Sequence, residues 1–328
     1  MIRKLYVEPS SCCNLNCKMC FRHNWFNEIT GLMSEHTLDR VYDTFKIESI
    51  KTIFFGGMGE PLMHPQIAGM IKNARNAGKR TEIITNATLL DNDMADRLIF
   101  AGLDTLWVSV DGFSKESYEK IRKGSMYELI MKNLDRFNKK KTKTRIGLTF
   151  VMMQDNENEL NNINHFAEDI GAELINLSHV IPDKPLAKEN CLYEKDYPTG
   201  KMHRFEIVST TKAENYCPFI DDNATFIRWD GEISPCMQLL HNSYSYLYTE
   251  KRKVYAKTYG NINDNNFLSI YNGTEYTNFR QNVREFQYPC CTICLGCNDR
   301  LENRTDCMFN SEPTCGACLW AQGLIRCP

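Results

Sequence analysis

The chain has 328 residues, of which 42% are hydrophobic and 24% charged, and its formal net charge is −2 at pH 7. That length suits one large domain plus a smaller one, and the near-neutral charge gives no reason to expect a nucleic-acid or membrane partner. No apolar run approaches the roughly 20 residues of a membrane span, and residues 1–11 lack the apolar core of a signal peptide, so we expect a cytoplasmic protein.

Six short strands rich in β-branched residues alternate with helix-like segments in the first half of the chain. The strands are predicted at 2–7, 51–55, 81–85, 105–110, 145–151 and 174–180. The helices are predicted at 34–48, 67–77, 91–101, 114–138 and 157–170, the fourth broken near Gly124. Ser34 is suited to an N-cap, and glycines stand where three helices should end, at Gly78, Gly102 and Gly171.

Repeated strand–helix units of about 30 residues predict an α/β fold with a parallel sheet and right-handed crossovers. Six units are too few for a closed eight-fold barrel, so we expect an open, partial (β/α)6 barrel over residues 1–180. Residues 181–215 carry proline and read as a connector. In residues 216–328 helix periodicity is weak and cysteines dominate, which predicts a small, loop-rich domain stabilised by metal ligation.

Polar and glycine-rich segments follow four of the predicted strands. They are a cysteine cluster after the first, a glycine-rich turn after the second, Thr85 and Asn86 after the third, and Ser109 to Asp111 at the fourth. Ligands bind at the carboxyl ends of strands in such sheets. These segments therefore predict a single active site.

The 15 cysteines of the chain are clustered rather than scattered. In a reducing compartment this number indicates metal sites or redox chemistry rather than disulfides. Cys13, Cys17 and Cys20 have the spacing C-x3-C-x2-C, and three thiolates on a four-iron cluster leave one iron open for a ligand. The alternative is a zinc site whose fourth ligand is His23 or His36. The neighbouring Cys12 does not fit the spacing and is interpreted as a spare.

The C-x3-C-x2-C loop after the first strand, followed by strand–helix repeats, resembles the radical S-adenosylmethionine (SAM) superfamily. That resemblance implies a [4Fe–4S] cluster whose free iron chelates the amino and carboxylate groups of SAM. It also implies reductive cleavage of SAM to a 5′-deoxyadenosyl radical, which removes a hydrogen atom from the substrate. The protein would orient the reactants and exclude water.

Further residues resemble the SAM-binding positions of that family. The glycine-rich turn 56–61 resembles the segment that holds the amino group of SAM. Ser109 and Asp111 resemble the residues that contact its carboxylate and ribose, and Arg122 resembles the arginine that pairs with the carboxylate. The residues that the resemblance assigns to SAM are Gly57, Met58, Glu60, Thr85, Asn86, Ser109, Asp111 and Arg122. Taken singly, each could equally be a strand-end polar residue that caps the next helix.

A second cysteine group resembles the SPASM extension, which carries one or two auxiliary [4Fe–4S] clusters. The spacing from Cys217 through Gly231 to Cys236 matches its opening, whereas the downstream spacing departs from the usual C-x2-C-x5-C-x3-C run. The candidate ligands are Cys217, Cys236, Cys291, Cys294, Cys297, Cys307, Cys315, Cys318 and Cys327, with Cys290 a tenth. Which cysteine stays out, and how the others divide, is open, and structural zinc is the alternative.

The SPASM resemblance implies a maturase that modifies a peptide, a protein or a peptide-derived cofactor. Segments 54–65, 107–112, 229–241 and 313–328 are similar to the radical maturases associated with tungsten-containing aldehyde ferredoxin oxidoreductases. This likeness implies a tungsten enzyme, its cofactor or a small precursor peptide as substrate. It also implies a low-potential electron donor such as ferredoxin or flavodoxin.

Two other functions remain open from the sequence. One is a general maturase that crosslinks or epimerises peptides, and the other is a zinc-stabilised binding module without radical chemistry. No catalytic base can be assigned, since Asp221, Asp222, His241 and Tyr246 are all equally explicable as surface residues.

Overall fold

The structure is a computed structural model that describes residues 1–185, 200–202, 205–207, 215–294 and 296–325. Its centre is a sheet in which six parallel strands lie side by side in chain order. They are β1 (Lys4–Val7), β2 (Thr52–Phe55), β3 (Arg80–Thr85), β4 (Thr105–Ser109), β5 (Arg145–Met152) and β6 (Leu174–His179). The predicted strands and the open parallel sheet are therefore confirmed.

The helices that cross between these strands also fall where the sequence predicts them. They are α1 (Glu35–Phe45), α2 (Ile67–Asn76), α3 (Asn92–Ala101), α4 (Lys115–Ile121), α5 (Tyr127–Lys140) and α6 (Ile163–Asp169). The Ser34 hydroxyl accepts the Thr37 N–H and caps α1, and Gly102 ends α3 with φ of 81°. One detail differs, because the predicted helix at 157–170 begins as a 3-10 helix, Glu157–Asn162, before α6.

The sheet continues beyond both ends of this six-strand run. On one side β9 (Ala224–Ile227) lies parallel to β1, and β10 (Ile233–Ser234) is antiparallel to β9. On the other side β8 (Phe205–Ile207) lies parallel to β6, and β7 (Gly200–Met202) is antiparallel to β8. The sequence did not predict either extension: β9 and β10 belong to the C-terminal part of the chain, and β7 and β8 lie in the segment predicted as a connector.

The C-terminal part also contains more regular structure than its sequence suggested. It holds α7 (Pro218–Asp221), a hairpin of β11 (Ser243–Leu247) and β12 (Glu250–Val254), α8 (Phe267–Tyr271) and α9 (Thr274–Glu285). Helix α9 buries Tyr276, Phe279 and Val283 on one face, which is helical spacing, so the expectation of weak periodicity is wrong for this segment. These side chains join the same hydrophobic core as the sheet.

The core lies between the sheet and its covering helices. Strand residues such as Leu5, Ile53, Ile83 and Leu148 have no solvent exposure. Each apolar side chain of this size contributes about 1.5–3 kcal/mol when fully buried, so the core holds the strand ends, and the loops that follow them, in fixed positions. In the described part of the chain, no helix combines the length and the apolar character needed to cross a membrane.

Candidate functional site

One pocket with a cavity volume of about 240 Å³ opens at the carboxyl ends of the parallel strands. The cysteine loop after β1 and the glycine-rich turn after β2 form one side of it, and residues at the ends of β3 to β6 form the other. Cys13, Cys17 and Cys20 all line the pocket, whereas Cys12 is not among the lining residues. His23 and His36, the zinc ligands considered as an alternative, are exposed and are not among the lining residues.

The glycines of the turn allow it to pack directly against the cysteine loop. A Cβ on Gly59 would lie 2.2 Å from the Ser10 carbonyl oxygen and 2.5 Å from that of Cys12. A Cβ on Gly57 would lie 2.6 Å from the Glu8 carboxylate. Only a residue without a side chain allows this approach. The sequence explained these glycines by close contact with a ligand, but the structure adds close contact with protein backbone.

Glu60 connects the turn to the end of β3. Its carboxylate accepts the Leu62 N–H at 3.1 Å, the Thr85 hydroxyl at 2.6 Å and the Asn86 N–H at 2.8 Å. The residue is 3% exposed and lines the pocket. Because both carboxylate oxygens of Glu60 already accept hydrogen bonds from the protein, this geometry favours a structural role in which Glu60 fixes the turn.

Two hydrogen-bond donors lie near the sulfur of Cys13. The Leu15 N–H lies 3.5 Å and the Asn86 side-chain amide 3.8 Å from Cys13 Sγ. Burial raises the pKa of the Cys17 thiol to about 11, and nearby Arg122 opposes that shift. Donors to cysteine sulfurs and a nearby cation favour the thiolate, the form that binds iron.

Arg122 and Asp111 form a buried ion pair below the pocket. Arg122 Nε and Nη2 lie 2.8 and 2.6 Å from Asp111 Oδ2, and the Val151 N–H lies 2.8 Å from Oδ1. Burial acts to lower the pKa of Arg122, but Asp111, Cys17 and Tyr118 together outweigh it and the pKa is raised, so the guanidinium is charged. Arg122 lines the pocket, whereas Asp111 is fully buried and is not a lining residue. This placement favours Asp111 as the residue that positions Arg122.

The remaining lining residues include three that the sequence reasoning did not select. Ser109, which it did select, lines the pocket and contacts the Thr149 hydroxyl at 3.1 Å. Ser178 and His179 line the pocket from the end of β6, and Val151 from the end of β5. Their positions at strand ends were the available signal.

The pocket fits the group that the resemblance implies. It presents three thiols, of which Cys13 has two donors at its sulfur, a glycine turn with accessible backbone, and a buried cation around a cavity of about 240 Å³. A cubane bound through three cysteines keeps one iron available, and backbone together with a guanidinium suits the charged groups of an amino acid.

Four cysteines of the C-terminal part form an inner group. Burial raises the pKa of the Cys217, Cys236 and Cys315 thiols. Cys217 and Cys318 are close enough to Cys236 and to Cys315 to raise the pKa of both further. Within the described ranges, the buried hydroxyls of Tyr259 and Tyr288 near Cys315 have no hydrogen-bond partner. Four thiols beside unpaired O–H donors fit a cluster whose sulfides can accept those hydrogen bonds.

A second, outer group contains Cys291, Cys294 and Cys307. Burial raises the pKa of Cys291 to about 11, and Cys307 and Cys294 add to the shift. Cys294 and Cys307 are exposed, so this group lies nearer the surface than the inner one.

The other cysteines add to this division. Cys297 is partly exposed and follows Cys294 at x2 spacing. Cys290 Sγ lies 3.7 Å from Asn215 Oδ1, and the prediction for Cys327 falls outside the described residues. Every cysteine in the described ranges is a free thiol, and no three His, Cys, Asp or Glu side chains there are placed to hold a single metal ion.

Arg252 lies near cysteines of both groups. It is 6% exposed, and its guanidinium donates to the carbonyl oxygens of Arg300 at 3.1 Å and Ala317 at 2.9 Å. Burial lowers its pKa, while Cys318, Cys291 and Cys315 oppose the shift. A buried guanidinium bonded to neutral carbonyls is costly unless an anionic group lies beside it. Its position therefore also fits anionic clusters in both groups.

The candidate catalytic residues named from the sequence differ in their burial. Asp221 and Asp222 are exposed, and Tyr246 is half-buried. His241 is 2% exposed and contacts two carboxylates, so its interpretation as a surface residue is wrong.

Comparison with known families agrees with this geometry. The model of the radical SAM superfamily matches residues 7–167, and the model of the SPASM iron–sulfur cluster-binding domain matches residues 217–298. The chain is therefore an enzyme of the radical SAM superfamily that carries a SPASM domain. Membership implies binding of [4Fe–4S] clusters and SAM.

Particular relatives extend the comparison. A tungsten-containing aldehyde ferredoxin oxidoreductase cofactor-modifying protein of Pyrococcus furiosus is 29% identical over 100% of this chain and 97% of its own length. A probable GTP 3′,8-cyclase of Methanocaldococcus jannaschii is 29% identical over 72% of this chain and 85% of its own. The fold resembles that of anSMEcpe with bound AdoMet and the Cp18Cys peptide, with a TM-score of 0.66, 17% identity and coverage of 99% and 96%.

Proposed function

We propose that this enzyme cleaves SAM reductively to a 5′-deoxyadenosyl radical and uses it to abstract hydrogen from a peptide, protein or cofactor substrate in a maturation step. The observation that supports this most strongly is the convergence of Cys13, Cys17 and Cys20 with the glycine turn in one pocket at the strand ends. When bound there, the cluster would supply the electron for cleavage. We place the enzyme in the cytoplasm, where thiols remain reduced.

The residues of the chain would hold and orient the reactants. Cys13, Cys17 and Cys20 would bind the cluster through thiolates, and the backbone of Gly57 and Met58 would face the amino group of SAM. Arg122, held by Asp111, would face the carboxylate. Thr85, Asn86 and Ser109 complete the wall that we assign to the same ligand and help to exclude water.

For the organisation of the chain, we propose a radical core at 1–180, a connector at 181–215 and an auxiliary-cluster domain at 216–328. Within the last, we assign Cys217, Cys236, Cys315 and Cys318 to one cluster. Cys291, Cys294 and Cys307 would belong to a second cluster, with Cys297 as its fourth ligand. Cys290 and Cys327 are then not required.

Anaerobic reconstitution with iron and sulfide tests the reaction. The loaded enzyme should form 5′-deoxyadenosine from SAM with dithionite, or with a ferredoxin or flavodoxin as the physiological type of donor. A variant with Cys13, Cys17 and Cys20 all changed to Ala should keep the auxiliary iron and form no product. Iron-loaded wild-type protein that forms no more 5′-deoxyadenosine than this variant would contradict the proposal.

For the substrate, we propose a tungsten-dependent aldehyde oxidoreductase, reached through its cofactor or through a small precursor peptide. The full-length likeness to the Pyrococcus furiosus cofactor-modifying protein supports this assignment. The reaction should be run with the tungsten enzyme of the same organism, both metal-free and metal-loaded. A mass change in that protein, its cofactor or an associated peptide, together with increased 5′-deoxyadenosine, is expected.

The alternative substrate class is a precursor peptide that is crosslinked or epimerised. A fold likeness supports this class as the alternative. The fold resembles that of SuiB of Streptococcus suis bound to precursor peptide SuiA, with a TM-score of 0.60 and 15% identity. A peptide that loses two hydrogens, as a crosslink requires, or that gains one deuterium in D2O, as epimerisation requires, would favour this class if the tungsten enzyme and its cofactor are unchanged.

A further inference from the structure

A buried histidine lies between two carboxylates beside the predicted SAM site. His241 Nε2 lies 3.1 Å from both oxygens of Glu8, and Nδ1 lies 2.9 Å from Glu28 Oε2. The three side chains are at most 5% exposed, and the Trp25 ring packs against the imidazole with a centroid distance of 4.2 Å and a tilt of 31°. Both ring nitrogens can donate only in the imidazolium form, and this is the form that pairs with two ionised carboxylates.

The surrounding charges agree with that protonation state. Burial acts to lower the pKa of His241, but the hydrogen bonds to Glu28 and Glu8 outweigh it and the pKa is raised. Arg228, which opposes the shift, lies 4.0 Å from Glu28 and pairs mainly with Asp230 at 2.7 Å. The charged groups that face the imidazole are therefore Glu8, Glu28 and, behind them, Arg228 with Asp230.

Glu8 connects His241 to the glycine turn. Its Oε1 accepts the Met58 N–H at 3.0 Å. In a trans peptide the N–H of Met58 and the C=O of Gly57 point in opposite directions, so Glu8 directs the Gly57 carbonyl away from itself. Gly57 and Met58 both line the pocket. The carboxylate thus fixes the orientation of a peptide group at the place where an ammonium ion is expected.

At its other end, the arrangement is anchored in the C-terminal part of the chain. Glu28 Oε1 accepts the backbone N–H and the side-chain amide of Asn242, each at 2.7 Å. Glu8, by contrast, follows β1 directly. The imidazolium therefore bridges the start of the barrel and the segment that follows Cys236.

We infer that Glu8, His241 and Glu28 form a positioning unit, here the carboxylate–imidazolium unit, through which the C-terminal part of the chain sets the geometry of the SAM-binding turn. This inference rests on the proposed function. His241 and Glu8 are positioning residues, since they act through the Gly57–Met58 peptide rather than on the reacting atoms. Loss of the imidazolium charge would free Glu8 to rotate and the turn to relax.

The test measures SAM binding to the reconstituted, oxidised enzyme, which binds but does not cleave its ligand. Glu8→Gln should raise the Kd for SAM about tenfold, because it replaces a charge-assisted hydrogen-bond network with neutral contacts. His241→Gln should raise it in the same direction, and the double variant should be less than additive because the two residues act as one unit. KM for SAM should rise while kcat at saturating SAM stays near wild type.

The matched control is Glu82→Gln. Glu82 is also a buried carboxylate, 8% exposed, and it accepts the Trp107 indole N–H at 3.2 Å. It lies in the first half of β3, whereas the pocket lies at the carboxyl end of that strand. The control should lose stability and keep the wild-type Kd. Equal Kd values for wild type, Glu8→Gln and His241→Gln, with full iron content, would overturn the inference.

A pH profile provides a test that does not depend on a His241 variant. Wild-type affinity should fall as pH rises above about 6.5 and through the raised pKa of His241, because the neutral ring can donate to only one carboxylate. Glu28→Gln removes one of the groups that raise that pKa and should move the fall to lower pH. The amino group of SAM titrates identically in every variant, so superimposable profiles would refute the mechanism.

The outcomes also separate this inference from the proposed function. Wild-type protein that binds and cleaves SAM, with variants that bind it equally well, would remove the positioning role alone. Wild-type protein that neither binds SAM nor forms 5′-deoxyadenosine would remove the proposed function itself.

Discussion

The substitution Gly59→Ala tests whether the glycine turn and the cysteine loop depend on one another. The added Cβ would lie 2.2 Å from the Ser10 carbonyl oxygen and 2.5 Å from the Cys12 carbonyl oxygen. Both atoms belong to the backbone, so no side-chain rotation can relieve the contact. The Glu60 N–H donates to the same Cys12 carbonyl at 2.7 Å and would be displaced as well. The loop that carries Cys13 must therefore move.

The magnitude follows from two contributions. Overpacking of this kind costs about 1–3 kcal/mol, and the disturbed backbone hydrogen bond adds about 1 kcal/mol. We therefore expect Gly59→Ala to lower the free energy of unfolding by about 2–4 kcal/mol, with loss of iron from the N-terminal site. Anaerobic denaturant unfolding and the iron content after reconstitution measure the two effects.

Gly69→Ala is the matched control. Gly69 lies inside α2 with no atom within 4 Å of the position of its Cβ, so alanine should stabilise the helix by about 0.5–1 kcal/mol and leave the iron content unchanged. The same chemical change then has opposite signs at the two positions. A Gly59→Ala protein as stable and as rich in iron as the wild type would refute the packing argument.

Three further predictions follow from the buried charges and the cysteine register. Asp111→Asn should cost about 3–5 kcal/mol in thermal unfolding, since it leaves the Arg122 guanidinium buried without its counter-charge; Asp111→Leu combined with Arg122→Met should recover much of that loss. Arg252→Gln should shift the auxiliary-cluster potentials negative by on the order of 100 mV in an EPR-monitored titration, because removal of a cation disfavours the reduced state. An unchanged potential would contradict the placement of Arg252 beside the clusters. Cys13→Ser should lose about four irons per chain and Cys12→Ser none, and iron loss in both variants would contradict the register.

Local sequence signals accounted for the barrel and for most of the site. Strand periods, the Ser34 cap and the terminal glycine at Gly102 depend on near neighbours in the chain, and each appears in the structure where it was predicted. Because parallel strands all present their carboxyl ends at one edge, the loops that follow them had to meet. The spacing of Cys13, Cys17 and Cys20 then sufficed to place three thiols in one pocket.

Other features depended on contacts that no local pattern records. The helical spacing of Tyr276, Phe279 and Val283 was present in the sequence, in a stretch from 237 to 289 that contains no cysteine. The pairing of β9 with β1, by contrast, joins residues far apart in the chain, and nothing in either strand specifies that partner.

By itself, the sequence determined the parallel sheet and the cysteines at its mouth, because both rest on short spacings and on regular periodicity, and its resemblance to a known family indicated the class of enzyme. Only the tertiary structure decided that Asp111 supports Arg122, that Arg252 lies near cysteines of both groups, and that His241 bridges Glu8 and Glu28. The physical reason is that a buried charge is stabilised only by the groups that folding brings beside it. For His241 and Glu8 those groups lie 233 residues apart in the chain.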